Sequence, residues 1–259
     1  MNEIVESVTG GEATPSRALL KLVERAVHLF GLIRPGDRVA VGISGGKDSI
    51  LLWQVLRELQ RRTDLPFDLG AVHLDQHQPR FERDAFNALI ARFEVPLQVV
   101  SEDTWSVVES KLKPGQIPCA LCGRMRRGIL NRWCAENGYT KLALGHHLDD
   151  AVETFFLNLF FQRRLDPLKP ATPSDAHGVV TIRPLILVEE RKVIAWRDHY
   201  AVGVVACPVC DSFPDSQRRD MGELLNRMRE VHPQLDESVR EAIYGDGAVL
   251  AMPGQTSHG

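Results

Sequence analysis

The chain has 259 residues, 44% of them hydrophobic and 25% charged, with a formal net charge of −3. This composition supports a sizeable core and excludes a low-complexity or strongly charged disordered chain. It also excludes a global basic field, so any nucleic acid must be met by local clusters. No apolar run reaches membrane-spanning length, and the polar, acidic stretch 1–14 lacks the form of a signal peptide. A cytoplasmic protein with no membrane partner is expected.

Residues 1–14 contain Gly10-Gly11 and show no periodicity, which predicts a disordered N-terminus. Thr14-Pro15 predicts a helix start with proline at the first helical position, and Leu19, Leu20, Val23, Ala26, Val27 and Phe30 form its apolar stripe. Pro35-Gly36 ends that segment. Strand-like and helix-like patterns then alternate. Strands are predicted at Val39–Ile43, Phe67–Leu74, Leu97–Val100 and Lys141–Leu144. Helices are predicted at Lys47–Arg62, Arg80–Phe93, Cys122–Asn137 (closed by Gly138) and Asp149–Phe161. Residues 162–178 read as a surface loop, because Pro167, Pro170, Pro173 and Gly178 interrupt any pattern. A strand at Val179–Ile182, helices at Glu189–Tyr200 and Asp215–Val231, and a frayed tail at Met252–Gly259 complete the chain.

The alternation predicts an α/β fold: a parallel twisted sheet flanked by helices, with a C-terminal helical extension. Ligands in such folds bind beyond the carboxyl ends of the strands. The expected organisation is a disordered segment 1–14, an N-terminal helix within 15–35, a main domain over 36–205 carrying the first cysteine pair, and 206–259 with the second pair and the C-terminal helices.

"VGISGGKDSILLW" (Val41–Trp53) is a strand, a glycine turn and a helix start in immediate succession. Such a turn gathers backbone N–H groups at the positive end of the helix, and Gly45 and Gly46 permit close approach of a phosphate. Ser44 and Ser49 add hydroxyls, and Lys47 and Asp48 add charge. The spelling is neither G-x-x-x-x-G-K-[ST] nor G-x-G-x-x-G; the alternative is a tight turn with no ligand. "ALGHHLDD" (Ala143–Asp150) repeats the strand-end setting with Gly145, His146, Asp149 and Asp150. Adjacent acids there can hold Mg²⁺ against phosphate oxygens, or simply stabilise a helix N-terminus. "AVHLDQ" (Ala71–Gln76) ends a third strand, and from the residues alone His73 could be a core histidine and Leu74 simply core.

Four of the five cysteines form C-x-x-C pairs, Cys119/Cys122 and Cys207/Cys210, and Cys134 stands alone. A four-cysteine zinc site and an iron–sulfur cluster both fit the spacing. A redox pair is less suited, since no thioredoxin-like context surrounds either motif. Arg124, Arg126, Arg127 and Arg132 cluster on the helix after the first pair. Arg163, Arg164 and Lys169 lie in the proline-rich stretch, and Arg218, Arg219, Arg227 and Arg229 follow the second pair. These are phosphate contacts for an RNA or solvated helix faces.

The S-G-G-K-D-S string after a β-branched run resembles the PP-loop of the N-type ATP pyrophosphatases, whose fold is adenine nucleotide alpha hydrolase-like. "LDQHQP", "CALCGRMRRGIL", "LALGHHLDDAVETFFLNLFF" and "CPVCDSFPDSQR" follow in order, from roughly Arg38 to Arg219. Together they are similar to the tRNA 2-thiocytidine synthetase family. Uridine-thiolating relatives usually carry terminal zinc-ribbon cysteines, and no cysteine precedes Cys119 or follows Cys210. The resemblance implies ATP, Mg²⁺ and a 4Fe–4S cluster with three cysteine ligands. Cys119 and Cys122 map directly, Cys210 is taken as the third with Cys207 the alternative, and Cys134 is core. It implies nucleotide contacts from Ser44, Gly45, Gly46, Lys47, Asp48, Ser49, His73, Leu74, Asp75, Gly145, His146 and Asp149. Asp48 and Asp150 would serve the metal side and Lys47 the phosphate charge. The implied reaction adenylates O2 of an anticodon-loop cytidine, position 32 in that family, and replaces the oxygen with sulfur. The implied partners are tRNA and a sulfur-donating cysteine desulfurase; homodimers are common among such relatives. The competing readings are another PP-loop tRNA-modifying enzyme (uridine thiolation or a lysidine-type ligase) and a non-catalytic iron–sulfur or zinc RNA-binding module.

Overall fold

The computed structural model describes residues 13–62, 64–112, 118–205 and 217–245, with only the backbone of Cys119 and Ala120. The expectations for 1–12, for Cys207 and Cys210, and for the tail 252–259 lie outside the described residues. The six-stranded sheet has the order β3-β2-β1-β4-β6-β5. Its strands are β1 (Arg38–Gly42), β2 (Asp68–Asp75), β3 (Leu97–Ser101), β4 (Lys141–Ala143), β5 (Ala171–Pro173) and β6 (Val180–Ile182). All neighbours are parallel except β5 with β6. The chain runs outward from β1 through β2 to β3, then crosses back to place β4 on the other side of β1. The β1/β4 boundary is therefore a topological switch point, with a crevice at the strands' carboxyl ends.

The described helices are α1 (Arg17–Leu29), α2 (Lys47–Arg62), α3 (Arg83–Arg92), α4 (Trp105–Lys111), α5 (Cys119–Glu136), α6 (Leu148–Leu157), α7 (Glu190–His199), α8 (Gln217–Val231) and α9 (Leu235–Tyr244). Because strand side chains alternate, Val39, Val41 and Ile43 join one core with Leu20 and Val23 of α1, Leu51 and Val55 of α2, and Val193 of α7. Ala40, Val72 and Leu142 join the opposite core with Ile129, Leu130 and Cys134 of α5. A third cluster attaches the C-terminal helices: Leu148 and Val152 of α6 meet Met221 and Leu225 of α8 and Val239 and Ile243 of α9.

Several expectations change. Helix α1 begins at Arg17 with Ser16 as its cap, whose hydroxyl accepts from Leu19 N at 3.3 Å, so Pro15 precedes the helix. Ala13 and Thr14, expected to be disordered, are pinned: their carbonyls accept from Trp196 Nε1 at 3.3 Å and from the Tyr200 hydroxyl at 3.1 Å. Helix α3 starts later than expected, because Arg80 takes a left-handed φ of 62°. The proline-rich stretch holds edge strand β5, whose pairing partner β6 follows it in the chain. The helix α6 pattern ends in a π-helical turn, Asn158–Gln162, closed by Arg163 at φ 55°. Helix α4 was not expected, and α9 had no bounds of its own within the expected C-terminal helices, although Leu235, Val239 and Ile243 recur at helical spacing.

Candidate active site

Strand β1 delivers the glycine loop to the switch point. Gly45 has φ +88°, and a Cβ there would stand 3.1 Å from both the Phe86 ring and Val205 Cβ, so only glycine suits the turn. Its carbonyl accepts from Val205 N at 3.1 Å. Ser49 Oγ ties the loop together, accepting from Ser44 N at 3.2 Å and donating to Gly46 O at 2.9 Å. Lys47 turns away from the crevice: Nζ lies 2.9 Å from Glu190 Oε1 and 3.2 Å from Asp48 Oδ1. Burial opposes the Lys47 charge, but the hydrogen bond to Glu190 and both carboxylates outweigh it and raise its pKa. Asp48 moves up through burial, against the pull of Lys47 and His147. Its Oδ1 is buried and takes no hydrogen bond among the described residues.

The junction after β4 sits directly beside this loop. A Cβ on Gly145 would lie 3.0 Å from the Asp48 carbonyl carbon, so glycine lets the two turns meet. His147 caps α6, and its backbone N–H donates to Asp150 Oδ2 at 3.0 Å, one half of a capping box. The remaining carboxylate oxygens are held from afar. Asp149 accepts from Glu190 N at 2.6 Å and from Arg229 at 3.0 Å. Asp150 pairs with Arg218, which also donates to Glu153 at 2.8 Å. Burial pushes Asp149 up. Burial also works against the Asp150 carboxylate, but His147 and Arg218 overcome it and pull its pKa down. His146 is driven down to about 4 by burial, and its Nδ1 has no hydrogen-bond partner among the described residues.

A cavity of about 350 Å³ opens between these junctions, the end of β2 and the first half of α5. On the β2 side, His73 Nδ1 lies 2.8 Å from Ile43 O. A carbonyl only accepts, so Nδ1 carries the proton, and burial lowers the pKa and keeps the ring neutral. The ring lies against Phe86 and Phe81, with centroids at 4.3 and 5.6 Å. Burial disfavours the Asp75 carboxylate, but the His77 N–H at 3.0 Å and Arg83 at 2.6 Å reverse this and lower its pKa. On the opposite wall are Cys122, Gly123, Arg126 and Leu130 of α5.

Of the residues singled out in the sequence, Ser44, Asp48, Ser49, His73, Leu74, Asp75, Gly145, His146, Asp150 and Cys122 line this one cavity. Gly45 and Gly46 shape the loop behind it. Lys47 and Asp149 point into ion pairs at its back. The Cys119 side chain and all of Cys210 lie outside the described atoms. Cys134 is fully buried, and burial pushes its thiol up to about 12, as befits a core residue. Arg218 and Arg229 are turned inward onto acids, and Arg132 pairs with Glu102, so these three are not free basic surface. Arg124, Arg126 and Arg127 remain exposed. Burial and the Arg126 and Arg124 charges lower the Arg127 pKa. Glu190, His147, Gln76, Gln78 and Phe81 were not anticipated. Gln76 and Gln78 had a signal in "LDQHQP"; Glu190 had none.

The family model describing the PP-loop domain matches residues 14–205, so the fold and the crevice are those of a PP-loop protein. The chain is 39% identical over 228 residues to tRNA-cytidine(32) 2-sulfurtransferase of Stenotrophomonas maltophilia (strain K279a), covering 88% of this chain and 74% of that protein. It is 40% identical over 227 residues to the protein of the same name in Xanthomonas euvesicatoria pv. vesicatoria (strain 85-10), covering 88% and 74%. Within the PP-loop class, the chain belongs to the tRNA-cytidine(32) 2-sulfurtransferase family. The solved U34-tRNA thiolase NcsA from Methanococcus maripaludis, with its 4Fe–4S cluster, shares the fold at a TM-score of 0.66 and 22% identity, over 86% of this chain and 76% of that one.

Proposed function

We propose that the chain is an ATP-dependent sulfurtransferase that replaces O2 of cytidine 32 in tRNA with sulfur. The observation that carries this reading is convergence: the S-G-G-K-D-S serines, Asp48, Asp150 and the Cys122 thiol line the same cavity. The glycine loop would hold the ATP phosphates through backbone N–H groups and the start of α2. The aromatic wall of His73 and Phe81 offers a stacking surface for a base. In the first step O2 of cytosine attacks the α-phosphorus of ATP, the α–β bridge breaks and pyrophosphate leaves. In the second, sulfur bonds to C2 and AMP departs with the original oxygen.

Two absent groups belong to this reading. The buried Asp48 Oδ1, which takes no hydrogen bond among the described residues and has Lys47 Nζ at 3.2 Å, is an acceptor suited to Mg²⁺, with Asp150 on the same cavity. Cys122, half-buried at the wall, is suited to an iron–sulfur cluster, shared with Cys119 and, in the continuation of our proposal, Cys210. When bound, Mg²⁺ neutralises phosphate charge and a 4Fe–4S cluster supplies the sulfur. The chain's own part is to orient the phosphates, hold Lys47 and Glu190 charged behind the loop, and keep His146 neutral. The reaction consumes sulfide-level sulfur; a cysteine desulfurase delivers persulfide sulfur, which a two-electron thiol reductant brings to that level, and we assign that class of partner. Arg126 and Arg127, exposed at or beside the cavity wall, would steer the RNA phosphates.

The test is a single-turnover reaction with unmodified tRNA, ATP, Mg²⁺ and sulfide under anaerobic conditions. AMP and pyrophosphate should appear in step with 2-thiocytidine in the nucleoside digest. ADP as the main product, or thiolation of a uridine instead, overturns the assignment.

A further inference from the structure

The loop after β2 reaches across the cavity to the cysteine-bearing helix. Gln76 Nε2 lies 3.4 Å from Cys122 Sγ, and Gln78 Nε2 lies 3.7 Å from the same sulfur. Gln76 is buried at 7% exposure, and its main chain is fixed: Trp105 N donates to Gln76 O at 3.1 Å. Cys122 is itself held by its backbone, donating to Pro118 O at 2.9 Å at the start of α5. A buried amide directed at a sulfur is an unusual choice unless the sulfur carries charge, because a neutral thiol is a weak acceptor. Two amides converging on one sulfur are better explained by a thiolate. The Cys122 Sγ to Gln76 Oε1 distance of 3.6 Å gives the uncharged thiol a partner as well. The same carboxamide thus serves both states, its NH₂ for the thiolate and its oxygen for the thiol.

We propose that Gln76 and Gln78 are positioning residues that donate N–H···S hydrogen bonds to the Cys122 thiolate and thereby set the reduction potential of the cluster it holds. The inference rests on the proposed reading of Cys122 as a cluster ligand. Hydrogen bonds to cluster sulfurs withdraw negative charge and favour the reduced, more negative state. The two glutamines flank His77 in "LDQHQP", on the loop that also supplies Asp75 to the cavity. The nucleotide wall and the thiolate are thus set by one short segment. This accounts for amides at two alternate positions where any polar residue would suit a plain surface loop.

The experiment compares the full chain, anaerobically reconstituted with iron and sulfide, with its Gln78→Leu and Gln76→Met variants. Iron content, circular dichroism and an EPR-monitored redox titration are read on each. Gln78 is only half-buried, so its substitution keeps the test open should the Gln76 variant fold poorly. The expected result is unchanged iron content and fold, with the midpoint shifted negative. A tenfold change in the reduced-to-oxidised ratio corresponds to about 59 mV for one electron. Wild-type chain that takes up no iron overturns the cluster reading itself. Wild type and a folded variant that both hold iron at the same midpoint overturn only the role given to the glutamines.

Discussion

The two strand-to-helix junctions at the switch point look alike in sequence and differ in how they are held. The loop after β1 is tied mostly to itself, with Ser49 binding Ser44 and Gly46 within five residues. The junction after β4 is tied to distant chain. Arg218 reaches Asp150 across 68 residues and Arg229 reaches Asp149 across 80. A phosphate cradle works through backbone groups, and local hydrogen bonds suffice to shape it. A pair of adjacent buried carboxylates cannot be held by local chemistry, because each needs a positive or N–H partner to offset desolvation. Helix α8 supplies those partners, and this ties the C-terminal helices to the active site.

The comparison can be broken most severely at the first junction. Asp48→Ala should lower turnover to AMP and pyrophosphate by about 10²–10³-fold, with only a modest loss of melting temperature, since the ion pair with Lys47 goes but Lys47 keeps Glu190. Steady-state kinetics and thermal unfolding check this; a loss under tenfold would move the chemistry elsewhere. Gly145→Ala tests the contact between the junctions. The added Cβ meets the Asp48 backbone at 3.0 Å, and such overpacking should cost about 1–3 kcal/mol in urea unfolding. Wild-type stability in that variant would show that the turns move independently.

At the second junction, Asp149 and its partner Arg229, unlike the cavity-lining Asp150, should respond in stability rather than chemistry. Arg229→Met removes hydrogen bonds to Asp149 and Asp236 and should cost about 2 kcal/mol, while pyrophosphate release stays near wild type because Asp149 does not line the cavity. A variant that keeps its stability but loses activity would reverse the roles given to the two junctions.

The smallest effect is on pH dependence. His146, faced by Asp150, Arg183, Arg218 and Arg126, is held neutral at a folded pKa of about 4 against an ordinary 6.5. The unfolded chain therefore takes the proton first as pH falls. The contribution is fully present above pH 6.5 and declines from there towards 4, at up to about 1.4 kcal/mol per pH unit. Asp150, pulled down, adds loss in the same direction at lower pH, whereas Asp48 and Asp149, pushed up, oppose it. The difference between wild type and His146→Gln in chemical unfolding across that window isolates the histidine. Parallel curves would mean that His146 is not neutral in the fold.

What the sequence by itself determined is local. The run of glycines and serines after a β-branched strand specified the loop, because φ/ψ preferences and donor spacing are properties of adjacent residues. The span Lys47–Arg62 was legible as a helix from its 3.6-residue periodicity and is observed with the same bounds. Cys134 was legible as core from its helical neighbours. The tertiary structure alone decided which side chains meet. Placing β4 beside β1 rather than beside β3 brings Gly145 against Asp48, and Lys47 finds Glu190 across 143 residues. The same topology puts Gln76 and Gln78 on the Cys122 sulfur and turns Arg218 and Arg229 from apparent RNA-binding surface into partners of the acid pair. Strand β5 was hidden for the same reason: it exists only through pairing with β6. Charge pairing and strand pairing depend on positions in space, and the strand order that sets those positions is written in no single stretch of residues.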